Sequence, residues 1–163
     1  MSNRKLELKD IVGYMPYDLH VQYLNGDIVP LTFRTLVAIY GSAKPILRPI
    51  TDLLRTITHN GEKIIPIVEC AKIAFPSKDW RSDIDIGMLV DYAYEINTVS
   101  DFRFMYSNCV ESFVALEWQR EESISFNQWE LFDYLNSLMI DFRQLCEKDL
   151  AISVYDLEEN PYE

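Results

Sequence analysis

Apolar positions along this chain switch between helical spacing and strand alternation. In KLELKDIVGY, residues 5–14, Leu8, Ile11 and Val12 fall on one helical face, and Pro16 forces a stop nearby. DLHVQYL and DIVPLTFRTL then flank Asn25-Gly26, a strong hairpin signal because both central residues tolerate positive φ. Pro30 cannot donate to a ladder, so the second strand is expected at an edge or a bulge. In PILRPITDLL, residues 45–54, Pro45 and Pro49 hold the chain extended and push Lys44 and Arg48 away from helical angles. Thr51 then serves as N-cap and Asp52 suits the helix dipole, predicting two helical turns over TDLLRTIT with Arg48 pointing outward. Asn60-Gly61 ends that helix. KIIPIVECAKIAF follows, beginning as a strand and becoming a helix after Pro66.

Tyr92, Tyr94 and Ile96 alternate, as do Phe102, Phe104 and Tyr106, with NTVS closing a hairpin between them. SFVALEW, 112–118, reads as a third strand. The strongest pattern predicts a helix over 128–148. Asn127 caps it, Glu130 completes a capping box, and Phe126 with Leu131 occupy the staple positions. Trp129, Phe132, Leu135, Met139, Phe142 and Leu145 form its core stripe, with Glu130, Asp133, Asp141 and Lys148 on the other side. Ile152 and Val154 predict a last short strand before acidic residues. The expected fold is one α+β domain spanning 1–163. In it, an antiparallel sheet of about five strands packs on the long C-terminal helix and one or two shorter helices.

Charge changes this picture more than composition does. Among 163 residues, 26 acids face 15 bases, a net charge of −11. Residues 1–100 hold 12 acids and 11 bases, hence −1, while 101–163 hold 14 acids and 4 bases, hence −10. Such a balance repels phosphate backbones, placing nucleic acid low among partners, and attracts a basic protein. The ordinary reading of the same charge is a solvating face. A hydrophobic fraction of 48% excludes a disordered chain. No apolar run approaches a membrane span, and MSNRKLELKD lacks the apolar region of a signal peptide. Cys70, Cys109 and Cys146 are odd in number and without CxxC spacing, which fits small buried thiols in a reducing cytoplasm.

Candidate chemistry is sparse. GxxxxGK, GxGxxG and HExxH are absent, so no cofactor is expected. His59 with Cys70 could form a catalytic pair but has no flanking signature. In DWRSDIDIG, Asp79, Asp83 and Asp85 are dense, yet Gly87 falls at the fifth loop position from Asp83 and residue 94 is Tyr, so the calcium-loop register fails. A divalent site assembled from Asp79, Asp83 and Asp85 with Glu95 or Asp91 remains the enzymatic alternative; otherwise the stretch is a polar loop. No catalytic residue or metal ligand is assigned, and a binding site is not identified.

Two blocks, PILRPITDLLRTITHNGEKIIPIVECAKI at 45–73 and LFDYLNSLMIDFRQLCEKDLAISVYDLEENPY at 131–162, resemble small uncharacterised proteins of phages and prophages of gut Bacteroidetes. The resemblance covers somewhat over a third of the chain and carries no functional residues. It implies a mobile-element protein acting in a bacterial cytoplasm. The expected function is a non-enzymatic accessory or interaction protein, in its sharper form an acidic decoy for a basic host protein. A metal-dependent enzyme and a minor virion structural protein are the alternatives.

Overall fold

The structure is a computed structural model that describes residues 4–80, 84–89, 93–98, 102–117 and 122–163. The fold is α+β, and the chain divides into two compact units, Met1–Ile50 with Leu135–Glu163, and Thr51–Tyr134.

The first unit is built on the strand β3, Ala43–Pro49, the PILRP stretch. Its extension follows from the two prolines. Antiparallel β1, His20–Tyr23, pairs with it through Val21, Gln22 and Tyr23. The edge strand β2, Ile28–Pro30, completes the expected Asn-Gly hairpin, with Gly26 at φ 92° and Pro30 on the outer strand. Two short parallel strands also register on β3: β11, Ile140–Asp141, on Arg48 and Pro49, and β12, Ile152–Ser153, on Ile46 and Leu47. The helix α1 is shorter than the sequence implies, Leu8–Ile11. The core gathers Ile11, Tyr14, Leu19, Val21, Leu47 and Leu145, all fully buried.

Tyr162 stitches this sheet. The β1–β3 register ends at Val21↔Pro45, so His20 and Ile46 would form the next rung. The Tyr162 hydroxyl occupies that rung instead, accepting from the His20 amide at 3.0 Å and donating to the Ile46 carbonyl at 2.8 Å. Tyr14 acts similarly on β11, donating to the Ile140 carbonyl at 2.9 Å.

The second unit carries an antiparallel meander, β6 Ile84–Leu89, β7 Ala93–Thr98, β8 Phe102–Ser107, β9 Ser112–Glu117 and β10 Glu122–Ser123. The strands read around residues 91–118 are present. The end of the stretch 79–87, read as a polar loop, instead lies in the strand β6, because Ile84, Ile86 and Met88 alternate with Asp85 and Gly87 opposite Ile96 and its neighbours. Phe102, Phe104 and Tyr106 share one face as expected. There they meet Phe113, Phe75, Phe126 and Phe132 at centroid separations between 5.0 and 6.4 Å. Each such pair contributes about 0.5–1.5 kcal/mol beyond its buried area. The helix α2, Pro66–Ala74, starts at Pro66 as read and packs on β7 and β8.

Two expectations fail for identifiable reasons. The two-turn helix over 51–58 shrinks to a 3-10 turn, Ile50–Leu54, with Thr51 inside it rather than capping it. The chain then enters β4, Ile57–His59, which pairs with β5, Glu62–Ile64. Asn60 and Gly61, at φ 51° and 79°, close a hairpin there instead of ending a helix.

The long helix 128–148 is also absent. The helix α3 runs only over Gln128–Ser137, and Met139 turns left-handed at φ 58°. That conformation costs about 1–2 kcal/mol, offset where Ile140 joins β3. Asn127 does cap α3, its Oδ1 accepting from the Trp129 amide at 3.2 Å. Trp129, read as core, is 84% exposed. The inward direction is set one residue earlier: the Gln128 side chain accepts from the Phe113 amide at 3.0 Å and donates to its carbonyl at 2.6 Å, completing that edge of β9 like a strand. Asp141, read as a surface acid, is buried and accepts from the Leu145 and Cys146 amides at 2.9 and 2.7 Å.

Two substitutions test this unit. Tyr162→Phe leaves the His20 amide and the Ile46 carbonyl unpaired, and denaturant unfolding should show a loss of about 1–3 kcal/mol. A methyl at Gly13 would lie 2.6 Å from Asn136 Nδ2, so Gly13→Ala should cost about 1–3 kcal/mol. Asn136→Ala in the same chain should recover most of it, whereas additive losses in the double-mutant cycle would remove the steric explanation.

Candidate interaction surface

The sequence-derived candidates fare differently in the structure. Arg48 does not point outward. It is 2% exposed, among the largest fully buried side chains, with its amide donating to the Met139 carbonyl at 2.8 Å and its guanidinium 3.6 Å from the Glu163 carboxylate. β3 is buried on both faces, so a residue that alternation would send outward meets protein instead. PILRP is therefore internal framework, not a recognition loop.

Cys70 is fully buried on α2, and burial, followed by the Glu69 charge, pushes its thiol far above the ordinary value. A thiol so placed is a poor nucleophile. His59 lies on β4 with its Nε2 3.1 Å from Asn60 Nδ2.

Of the acidic cluster, Asp83 and Asp91 lie outside the described residues. Asp79 is exposed in the loop after α2. Asp85 and Glu95 share the face of the meander that also carries Asn97 and Arg103. Glu95 is committed there: Oε1 accepts from Asn97 at 3.0 Å and Oε2 lies 3.5 Å from Arg103. Among the described residues no group of three or more His, Cys, Asp or Glu is arranged to hold a metal ion. Among them, too, no helix is long and apolar enough to cross a membrane.

The acidic charge is distributed differently from the linear count. By sequence, the unit of residues 1–50 and 135–163 holds 11 acids and 8 bases, hence −3, and residues 51–134 hold 15 and 7, hence −8. The anionic final third is split, with 7 acids and 2 bases on each side of the division at residue 134. Within 135–163, Asp141 is spent on backbone amides, Asp149 lies 2.5 Å from Lys44, and Glu163 faces Arg48. Glu147, Asp156, Glu158 and Glu159 are exposed and carry no ion pair among the described residues.

Three of these four sit on one built loop. β12 anchors its start. A 3-10 turn follows, Val154–Asp156, whose Ser153 Oγ accepts from the Tyr155 amide at 3.2 Å. Val154 is buried beneath it. Asn160 Oδ1 accepts from the Tyr162 amide at 3.0 Å, and Tyr162 closes the loop through its hydroxyl. Between these anchors Asp156, Glu158 and Glu159 face solvent beside Tyr155, which is also exposed. The run of acids was visible in the sequence. The anchoring was not, because the Tyr162 partners lie 116 and 142 residues away.

No protein-family model, curated protein or solved structure matches the chain.

Four weak acids, Cys70 fully buried and three half-buried, generate a pH prediction. Burial is the largest cause raising Cys70, Tyr134, Cys146 and Tyr162 well above their ordinary values of 9.0 for Cys and 10.0 for Tyr. For Cys146 the Asp141 charge adds to burial; for Tyr162 the His20 amide and Arg48 oppose it. The folded state thus keeps protons that the unfolded chain releases. Stability is complete below about pH 9 and falls as pH rises above it. Unfolding free energies measured from neutral pH upward should decline above that point, more shallowly in Tyr162→Phe. A flat profile would contradict the desolvation of these groups in the fold.

Proposed function

We propose that this is a non-enzymatic accessory protein of a phage or prophage, acting in the bacterial cytoplasm by presenting an acidic loop to a basic host protein. The observation that carries this reading is the loop Ser153–Glu163, where Asp156, Glu158 and Glu159 are exposed without internal cations while both ends are tied to β3. A carboxylate cluster on an ordered loop loses little entropy on binding, and its field speeds the approach of a cationic partner. Tyr155 beside it offers a ring for a Lys or Arg side chain. The sharper form is a decoy that occupies a surface the partner otherwise offers to nucleic acid. The resemblance of residues 45–73 and 131–162 to phage and prophage proteins supports the origin.

The test uses the intact protein immobilised and exposed to lysate of a gut Bacteroidetes host. A basic protein should be captured at low salt, released at high salt, and displaced by double-stranded DNA. Replacing Asp156, Glu158 and Glu159 by their amides should weaken capture about tenfold, as expected for three partly screened charges. The same neutralisation at exposed Glu62, Glu111 and Glu130 should leave it near its original strength. Failure to capture anything at low salt, or equal loss with both triple variants, removes the proposal.

A further inference from the structure

The first unit contains a groove of about 690 Å³ whose charge runs against that of the chain. Its floor is apolar: Leu6, Ile39 and Ala43 are buried, with Leu150 and Ile152 half-buried beside them. Arg4, Lys5 and Lys44 line it, against one carboxylate, Asp149. With Asp10, which pairs with Arg4, counted beside Asp149, three cations meet two acids, an excess of one positive charge in a unit whose sequence charge is −3. Screening over about 8 Å at physiological salt makes this local balance, not the chain's total, the field felt inside the groove.

These cations are not equally committed. Arg4 is paired with Asp10, which also accepts from the Glu7 amide at 3.0 Å. Lys5 has no ion pair among the described residues. Lys44 Nζ lies 2.5 Å from Asp149 Oδ1, yet the Asp149 side chain is 92% exposed. Asp149 therefore reaches in from solvent and places one oxygen on Lys44. Its backbone is fixed at φ 58° by the Asp149 amide bond to Cys146 and the Leu150 amide bond to Leu145, so only the side chain needs to swing away.

At the rim, Leu24 is 86% exposed and Tyr40 is 60% exposed. The Leu24 amide donates to the Ser42 carbonyl at 3.1 Å, which holds the β1–β2 hairpin tip against the loop that carries Tyr40. Two large apolar side chains are thus kept in water beside an apolar floor. An occupant would bury them at about 25 cal/mol per Å².

We propose that this groove binds a small amphipathic anion, a carboxylate or phosphate head carried on an apolar body, and that Asp149 is a built-in competitor for the head position on Lys44. The volume lies within the range of about 300–1,000 Å³ of small-molecule pockets. The ligand's head displaces the Asp149 carboxylate, pairs with Lys44 and draws on Lys5. Its apolar body lies on Leu6, Ile39 and Ile152 under Leu24 and Tyr40. An anionic membrane surface is the poorer occupant, because the unit's net sequence charge of −3 repels it over the larger area of such a contact. This site is separate from the acidic loop and does not rest on that loop's function.

The experiment titrates the full chain with dodecanoate and dodecyl phosphate below their micellar concentrations, following heat and backbone amide shifts. Inorganic phosphate, neutral dodecyl maltoside and anionic lipid vesicles are the comparison probes. Both amphiphiles should bind, with shifts concentrated at Leu6, Leu24, Tyr40 and Lys44, and more tightly than phosphate or the maltoside. Asp149→Asn should tighten binding about twofold to fivefold at low ionic strength, the worth of one exposed ion pair. Asn accepts the left-handed backbone as Asp does, so this variant keeps the fold. Lys44→Gln should weaken binding about tenfold, the loss of one charge-assisted hydrogen bond, with an unchanged circular dichroism spectrum.

Absence of binding by either amphiphile overturns the proposal. So does equal affinity for the maltoside, equal affinity for inorganic phosphate, binding to vesicles alone, or indifference to Asp149→Asn. Neutralising Asp156, Glu158 and Glu159 should leave the groove's affinity unchanged, so the two readings fail independently.

Discussion

In the first unit β1, β11 and β12 all register on one strand, β3, that cannot supply all of its own donors. Pro45 and Pro49 lack amide donors, yet β3 pairs with β1, β11 and β12 and is buried along most of its length. Every polar group of a buried strand must find a partner, and here side chains supply some of them. Tyr162 fills the rung between His20 and Ile46, and Tyr14 satisfies Ile140 on β11. The Arg48 amide reaches Met139. Two phenolic hydroxyls thus join the backbone pairing of this region, and the proton held by Tyr162 carries through to stability at alkaline pH.

The same device appears in the second unit with a different side chain. The carboxamide of Gln128 presents both an acceptor and a donor to Phe113 and so continues β9 beyond its backbone partners. This contact orients α3 and sends Trp129 into solvent. The aromatic face of the meander then receives Phe75, Phe126 and Phe132 as a layer of tilted and edge-on rings.

Charge in this protein is organised by what each carboxylate touches. Asp141 serves amides, Asp10 serves Arg4, Asp149 covers Lys44, and Asp156, Glu158 and Glu159 remain on an anchored loop. The first two belong to the fold. The last three are exposed and carry no ion pair among the described residues. Asp149 lies between these roles, because an exposed ion pair is weak enough to be exchanged for a ligand.

Local signals were legible from the chain alone. Asn25-Gly26 specifies a hairpin, Pro66 opens a helix, Asn127 caps one, and the alternation of Phe102, Phe104 and Tyr106 marks a strand. Each depends on a few neighbouring dihedral angles or on one side chain reaching one amide, and such preferences are written in the nearest residues. Tertiary structure decided where helical spacing stops. Phe142 and Leu145 keep the period of a helix, but pairing of Ile140 with Arg48 outweighs local propensity and breaks it at Met139. It also decided that Arg48 is buried and that Arg4, Lys5 and Lys44 meet around one groove. Those outcomes depend on contacts between residues up to a hundred or more positions apart, and periodicity in the sequence does not encode such contacts.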